Sequence, residues 1–144
     1  MLLGEYDHIL DEKNRLTLPA KFRQSFAGGV VLTRWVDRCL YAYPRKDWGR
    51  FLESRLAELD PLRLDDRRIQ RFLFAAASEA ELDKQGRLMV PAPLLKHAGL
   101  KREVVVAGVN DHLEIWDRAA WRAEMTEVEG SAEHVAERLA QKRD

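Results

Sequence analysis

Leu10-Asp11-Glu12-Lys13-Asn14-Arg15-Leu16-Thr17-Leu18-Pro19-Ala20 is written a second time, as Leu82-Asp83-Lys84-Gln85-Gly86-Arg87-Leu88-Met89-Val90-Pro91-Ala92. Leucine, aspartate, arginine, leucine, proline and alanine coincide in the two stretches. An internal repeat decides architecture before any local propensity does. After one extra residue in the second copy the match runs on, and Val31, Val36, Leu40, Arg45 and Trp48 meet Val104, Val109, Leu113, Arg118 and Trp121.

Both copies obey one grammar. A strand, Tyr6 to Leu10 or Ala80 to Leu82, turns through an Asp-x-x-x-Arg segment and returns as Leu16-Thr17-Leu18 or Leu88-Met89-Val90. Asn14 and Gly86 occupy equivalent turn positions, and these residue types best tolerate a left-handed backbone. Pro19 or Pro91 stops the strand and opens a short helix, which closes near Gly28-Gly29 or Gly99. The β-branched runs Val30 to Thr33 and Val104 to Val106 follow, turn at Asp37 or Asn110-Asp111, and return as Leu40 to Tyr43 or Leu113 to Trp116. Each unit is β-β-α-β-β. We place the first at residues 1–48, a helical connector at 49–77, the second at 78–121 and a C-terminal helical tail at 122–144.

In the connector, Trp48, Phe51, Leu52, Arg55, Leu56 and Leu59 recur at helical spacing until Asp60-Pro61, and a second helix runs from Asp65 or Asp66 to about Ala77. The tail is expected to begin a helix at Trp121 and Met125. Beyond Gly130-Ser131, Val135, Ala136, Leu139 and Ala140 keep helical spacing and would order against a partner.

The 144 residues are 46% apolar and 33% charged, the balance of a globular chain and not of a disordered one. The longest uncharged apolar run, Phe72 to Ala77, is far below the roughly 20 residues of a membrane span, and Glu5 interrupts any signal-like core. A cytoplasmic location is expected. Cys39 has no second cysteine to pair with, and it falls opposite His112 in the repeat, so a small buried strand residue is expected there. His8, His97, His112 and His134 lack metal-ligand spacing, and neither a Gly-rich phosphate loop nor a nucleophile motif is present. No cofactor, metal or small-molecule substrate is expected.

Net charge is zero, with 24 basic and 24 acidic residues. The distribution is uneven, however. Lys13, Arg15, Lys21 and Arg23 outweigh Asp11 and Glu12, and Lys84, Arg87, Lys96, Lys101 and Arg102 outweigh Asp83. On charge alone, ordinary surface mixing accounts for this. A lone Asp–Arg pair is a surface ion pair of little weight. Repeated with a left-handed-tolerant residue inside each turn, the pair favours a second role: Asp11 and Asp83 orient Arg15 and Arg87, with Lys13 and Lys84 beside them. An arginine held as a fork suits a phosphate or a guanine edge. Trp48 and Trp121 match in the repeat and read as core. Trp35, between Arg34 and Arg38, is open to a subunit or a nucleic-acid contact. Arg63, Arg67, Arg68 and Arg71 suit either a phosphate-facing ridge or, with Asp65 and Asp66, a salt-bridged face.

Gly4-Glu5-Tyr6, Asp11 to Arg15 leading into Leu18-Pro19-Ala20-Lys21-Phe22-Arg23, Leu32-Thr33-Arg34, Leu40 with Tyr43-Pro44, and Glu81 to Arg87 into Val90-Pro91-Ala92 resemble the bacterial MraZ family over residues 1 to about 125. The resemblance implies an α+β fold of two tandem AbrB-like swapped-hairpin units forming a small β-barrel-like core with flanking helices. It implies ring-shaped homo-oligomers larger than a dimer. It further implies a nucleoid-associated transcriptional regulator that binds double-stranded DNA at the promoter of the division and cell-wall gene cluster, which includes its own gene. Carried onto this chain, the signature puts Lys13, Asn14, Arg15, Lys84, Gly86 and Arg87 at the DNA. Asn14 departs from the family's usual glycine, and asparagine can hold the same torsion. The undersized units agree with assembly, because one unit of about 45 residues is too small to bury a full core. An AbrB-like antitoxin would instead have one short unit and a disordered tail, and an enzyme would need clustered perturbed carboxylates or a histidine base.

Overall fold

The computed structural model describes residues 1–143. The chain runs β1 (Leu2–Ile9), β2 (Arg15–Thr17), α1 (Ala20–Arg23) with a 3₁₀ turn over Gln24–Phe26, β3 (Val30–Arg34), β4 (Leu40–Pro44), α2 (Arg45–Leu56), α3 (Leu64–Phe74), β5 (Ser78–Ala80), β6 (Arg87–Met89), α4 (Ala92–Ala98), β7 (Glu103–Asn110), β8 (His112–Asp117) and α5 (Arg118–Arg143). The repeat reappears element for element, and α3 alone has no counterpart. Pro19 and Pro91 cap the helices after the second strands, and Gly99 closes α4 in the left-handed region.

The two units are interleaved. Six antiparallel strands form one sheet in the order β1-β7-β8-β4-β3-β5. The first strand of each unit therefore pairs with the third strand of the other, β1 on β7 and β5 on β3, and β4 meets β8 at the centre of the pseudo-symmetric sheet. The second strands pair separately as the ribbon β2·β6. One core joins both halves: Val30, Leu32, Leu40 and Ala42 of the first unit pack with Val104, Val106, Leu113 and Ile115 of the second. Leu16 and Leu88 of the ribbon, with Phe22, Phe26 and Leu94, cover that core.

This arrangement corrects the expected barrel-like core: among the described residues the sheet is open, with β1 and β5 as its edges. Helical and ribbon side chains cover the core where a strand-to-strand seam would close a barrel. Several bounds also move. β1 is longer than the expected strand, because it pairs along all of β7. β5 begins at Ser78, since α3 ends at Phe74. α5 passes through Gly130 without a break, because one glycine in a helix costs only about 1 kcal/mol.

The opposite face of the sheet carries aromatic residues under the connector. Tyr43, Phe51 and Leu73 are buried there with Trp35, Tyr41, Trp48, Leu52 and Leu56 around them. Trp35 sits edge-on to Phe51 and so serves this cluster. Thr33 Oγ1 and Arg34 Nε donate to the Leu73 and Phe72 carbonyls, which fixes the end of α3. Beside the cluster, His112 stacks on Tyr41 and contacts Asp111 Oδ1 at 2.7 Å and Glu114 Oε2 at 3.1 Å. Burial alone would lower the His112 pKa, but the hydrogen bonds that its ring nitrogens donate to Glu114 and Asp111 outweigh it and raise the value. Burial would raise Glu114, yet the His112 and Trp116 donors hold it below the usual range. Cys39 is fully buried just before β4, its thiol 3.9 Å from Glu114 Oε1, and burial pushes its pKa upward.

Two outcomes follow from this packing. Leu88→Ala removes a fully buried side chain from the ribbon and should cost about 2–5 kcal/mol in denaturant unfolding. A histidine whose folded pKa is raised contributes stability that is complete below its unfolded value and is lost as pH rises through the folded one. Wild type should therefore lose stability between neutral and mildly alkaline pH, and His112→Ala should flatten that slope; equal slopes in pH-dependent melts would refute the ion-paired assignment.

Candidate nucleic-acid interface

Each turn is built by a single aspartate. Asp11 Oδ1 accepts the backbone N–H of Lys13 at 2.8 Å and of Arg15 at 2.9 Å, while Oδ2 accepts Arg15 Nε–H at 2.7 Å. Asp83 does the same, with Gln85 and Arg87 N–H at 2.9 Å and Arg87 Nε at 2.6 Å. Main-chain bonds close both loops, from Asn14 to the Asp11 carbonyl and from Gly86 to the Asp83 carbonyl. The reversal needs a left-handed residue, and Asn14 (φ 58°) and Gly86 (φ 75°) take that conformation. Gly86 has a second reason to lack a side chain, since a Cβ there would collide with Arg23 from α1.

The chemistry of the clamp lies in which nitrogen is used. Asp11 and Asp83 engage Nε, and among the described residues the terminal Nη groups of Arg15 and Arg87 donate to no protein acceptor. Each guanidinium keeps its charge and its outer edge while losing rotational freedom. Backbone N–H donation from the arginine, above all, holds each aspartate below the usual carboxylate range, and the guanidinium adds to it.

The ribbon brings the two clamps together. Arg15 lies opposite Met89 and Thr17 opposite Arg87, with Leu16 opposite Leu88 between them. Opposed residues of an antiparallel pair share a face, so Leu16 and Leu88 point into the core while Arg15, Thr17, Arg87 and Met89 form the outer face. Met89 is 60% exposed at that face. The exchange continues past the strands, where Leu18 N donates to the Gly86 carbonyl and Val90 N to the Asn14 carbonyl. Lys13 and Lys84 are exposed on the loops. All six residues expected at the DNA and both orienting aspartates thus belong to one ribbon and its turns.

Sequence reasoning missed Thr17, Met89 and Arg23. The alternation Arg15-Leu16-Thr17 and Arg87-Leu88-Met89 was visible, but the pairing that places the four outer residues side by side was not. The connector arginines lie elsewhere in the chain: Arg63, Arg68 and Arg71 are exposed, and Arg67 donates to the Pro61 carbonyl. Among the described residues no three His, Cys, Asp or Glu side chains converge as a metal site, and no helix is long and apolar enough to cross a membrane.

A family profile described as "MraZ protein, putative antitoxin-like" matches the chain twice, over residues 1–72 and 73–143. Proteins named transcriptional regulator MraZ are similar along nearly the whole length. That of Heliobacterium modesticaldum is 45% identical over 139 residues, covering 96% of each chain. That of Lactiplantibacillus plantarum is 43% identical over 96% of this chain and 98% of its own, and that of Caldicellulosiruptor saccharolyticus 42% identical over 96% of both.

Carboxylates with depressed pKa values contribute order that is present above their unfolded values and is lost as pH falls through the folded ones. The Arg15 and Arg87 Nε–H resonances should remain resolved through the ordinary carboxylate range and broaden only on further acidification. Asp83→Asn should lose the pH step at Arg87 while leaving it at Arg15; a step kept at both would show that Asp83 does not hold the arginine.

Proposed function

The chain belongs to the MraZ family and is a transcriptional regulator, not an enzyme; on that premise we propose that the outer face of β2·β6 and its two turns read double-stranded DNA. The observation that carries the proposal is the repeated clamp, in which each aspartate holds Nε and leaves the Nη groups of the half-buried Arg15 or Arg87 without a protein acceptor among the described residues. A two-stranded ribbon fits the major groove, and a guanidinium edge there can make two parallel bonds to guanine O6 and N7. Lys13 and Lys84 supply point charges for the flanking phosphates. Thr17 and Met89 lie between the arginines and can meet thymine methyl groups. Asn14 and Gly86 hold the left-handed turns that present the arginines.

The target in this proposal is a set of short direct repeats in the promoter of the division and cell-wall gene cluster, the protein's own gene included. Its place is the cytoplasm, at the nucleoid. The binding form is a ring-shaped homo-oligomer larger than a dimer. Exposed Leu62, Leu64 and Phe74 on the connector offer apolar surface for such subunit contacts. A ring repeats the ribbon around one face, which gives a neutral chain a locally basic surface and lets several weak contacts act together.

Titration of a duplex from upstream of the gene, against a scrambled duplex and at several salt concentrations, tests this. Arg15→Ala and Arg87→Ala should each cost about 1–3 kcal/mol per guanine contact and relax preference at that base. Lys84→Ala should weaken both duplexes alike and reduce the salt slope by about one unit. Light scattering on every variant controls for assembly. An Arg15→Ala/Arg87→Ala double variant of wild-type mass that bound the operator with unchanged affinity and salt slope would overturn the proposal.

A further inference from the structure

The two arginine turns differ in one neighbour. Arg23 and Leu95 are the fourth residues of α1 and α4, and the repeat makes them equivalent. Leu95 packs against the shared core. Arg23 is exposed and lies instead along the Asp83–Arg87 turn, where a Cβ on Gly86 would collide with its Nε and Cδ. Gly86 is buried beneath it, whereas Asn14, at the equivalent place in the other turn, is exposed. The glycine is matched to the arginine, and the asparagine to its absence.

Packing of its own helix does not account for this placement. A basic residue in the last turn of a helix can serve the carbonyls at the C-terminus. Arg23 turns the other way, and its Nε donates to the Leu18 carbonyl at 3.1 Å, before the helix begins. Leu18 in turn donates its N–H to the Gly86 carbonyl, so the side chain is fixed to the segment that meets this turn. Among the described residues the guanidinium pairs with no carboxylate, and its Nη groups donate to no protein acceptor. Its charge is felt nearby: burial first, and the Arg23 charge second, lower the pKa of half-buried His8 on β1. An anchored, unneutralised guanidinium beside an aspartate-clamped arginine has the chemistry of a phosphate contact.

We propose that Arg23 is a third arginine of the DNA-reading surface and contacts a backbone phosphate beside the Asp83–Arg87 turn alone. The inference rests on the reading of the ribbon proposed above. Two identical turns about a pseudo-two-fold would read the halves of a palindrome alike. With Arg23 at one turn, and Leu95 packed into the core near the other, the chain has a preferred orientation on DNA. That polarity suits direct repeats, in which successive copies meet the same strand direction.

Titration of the full chain on the upstream duplex, with each phosphate in turn replaced by a neutral methylphosphonate, tests the polarity. Wild type should show one sensitive phosphate beside the half whose base preference Arg87→Ala relaxes, with no equivalent beside the Arg15 half. Arg23→Gln keeps a donor for the Leu18 carbonyl and removes the charge. It should silence that phosphate alone and reduce the salt slope by about one unit for each ribbon engaged. Gly86→Asn, which gives this turn the residue of the other, should displace the guanidinium and silence the same phosphate, and combining it with Arg23→Gln should silence no more. The Arg87 Nε–H resonance should keep its wild-type position in Arg23→Gln. A broadened resonance with both halves weakened would make Arg23 a support of the turn and overturn the proposal. So would a wild-type slope and phosphate pattern in Arg23→Gln. If Arg15→Ala and Arg87→Ala weaken binding in that same experiment, the ribbon still reads DNA and only the role of Arg23 falls; if they too bind as wild type, the reading of the ribbon falls with it.

Discussion

Leu16 packed opposite Leu88 in the short ribbon is the contact on which the molecule turns. Neither unit can close its own hairpin, because the strand leaving each turn pairs with the equivalent strand of the other unit. The buried leucines, the exchanged bonds from Leu18 to Gly86 and from Val90 to Asn14, and the opposed turns are consequences of that single pairing. It ties residues more than 70 positions apart in sequence, so closing the ribbon carries a loop-closure cost that the shared core must offset. The core does so by drawing on both halves at once, which no isolated unit of this size could match.

The same pairing makes a surface. An antiparallel strand has two faces, and burying Leu16 and Leu88 on one commits Arg15, Thr17, Arg87 and Met89 to the other. Each aspartate then restricts its arginine without consuming the outer edge of the guanidinium. Holding a long cation in place before binding removes part of the ordering cost that binding would otherwise carry. An exposed ion pair contributes little to stability, so the double occurrence of this one is better explained by direction than by strength.

The central junction β4·β8 differs from the ribbon in chemistry. There the repeat has diverged, with Cys39 in one copy and His112 in the other, and the pair now shares Glu114 instead of a common role. Around it the connector lays an aromatic layer of which the second unit keeps only the Trp116–Trp121 pair, the counterpart of Tyr43–Trp48, before α5 leaves the sheet after Met125. The asymmetry gives the chain one well-covered flank and one helix that extends beyond its own fold.

From residue order alone, the repeat, the β-β-α-β-β grammar, the helix-opening prolines and the eight turn residues were legible, because each is a local matter of torsion, periodicity or spacing. Local rules do not say which strand pairs with which. The interleaving of the units, the open sheet where a barrel-like core was expected, and the outward grouping of Thr17 and Met89 with the arginines all depend on contacts between distant segments. Trp35 shows the same limit: its turn position between arginines left two kinds of contact open, and only the fold of the connector over the sheet placed it against Phe51. Sequence determined the parts and their chemistry; tertiary structure decided their partners, because hydrophobic burial is non-directional and only packing selects among the pairings that it permits.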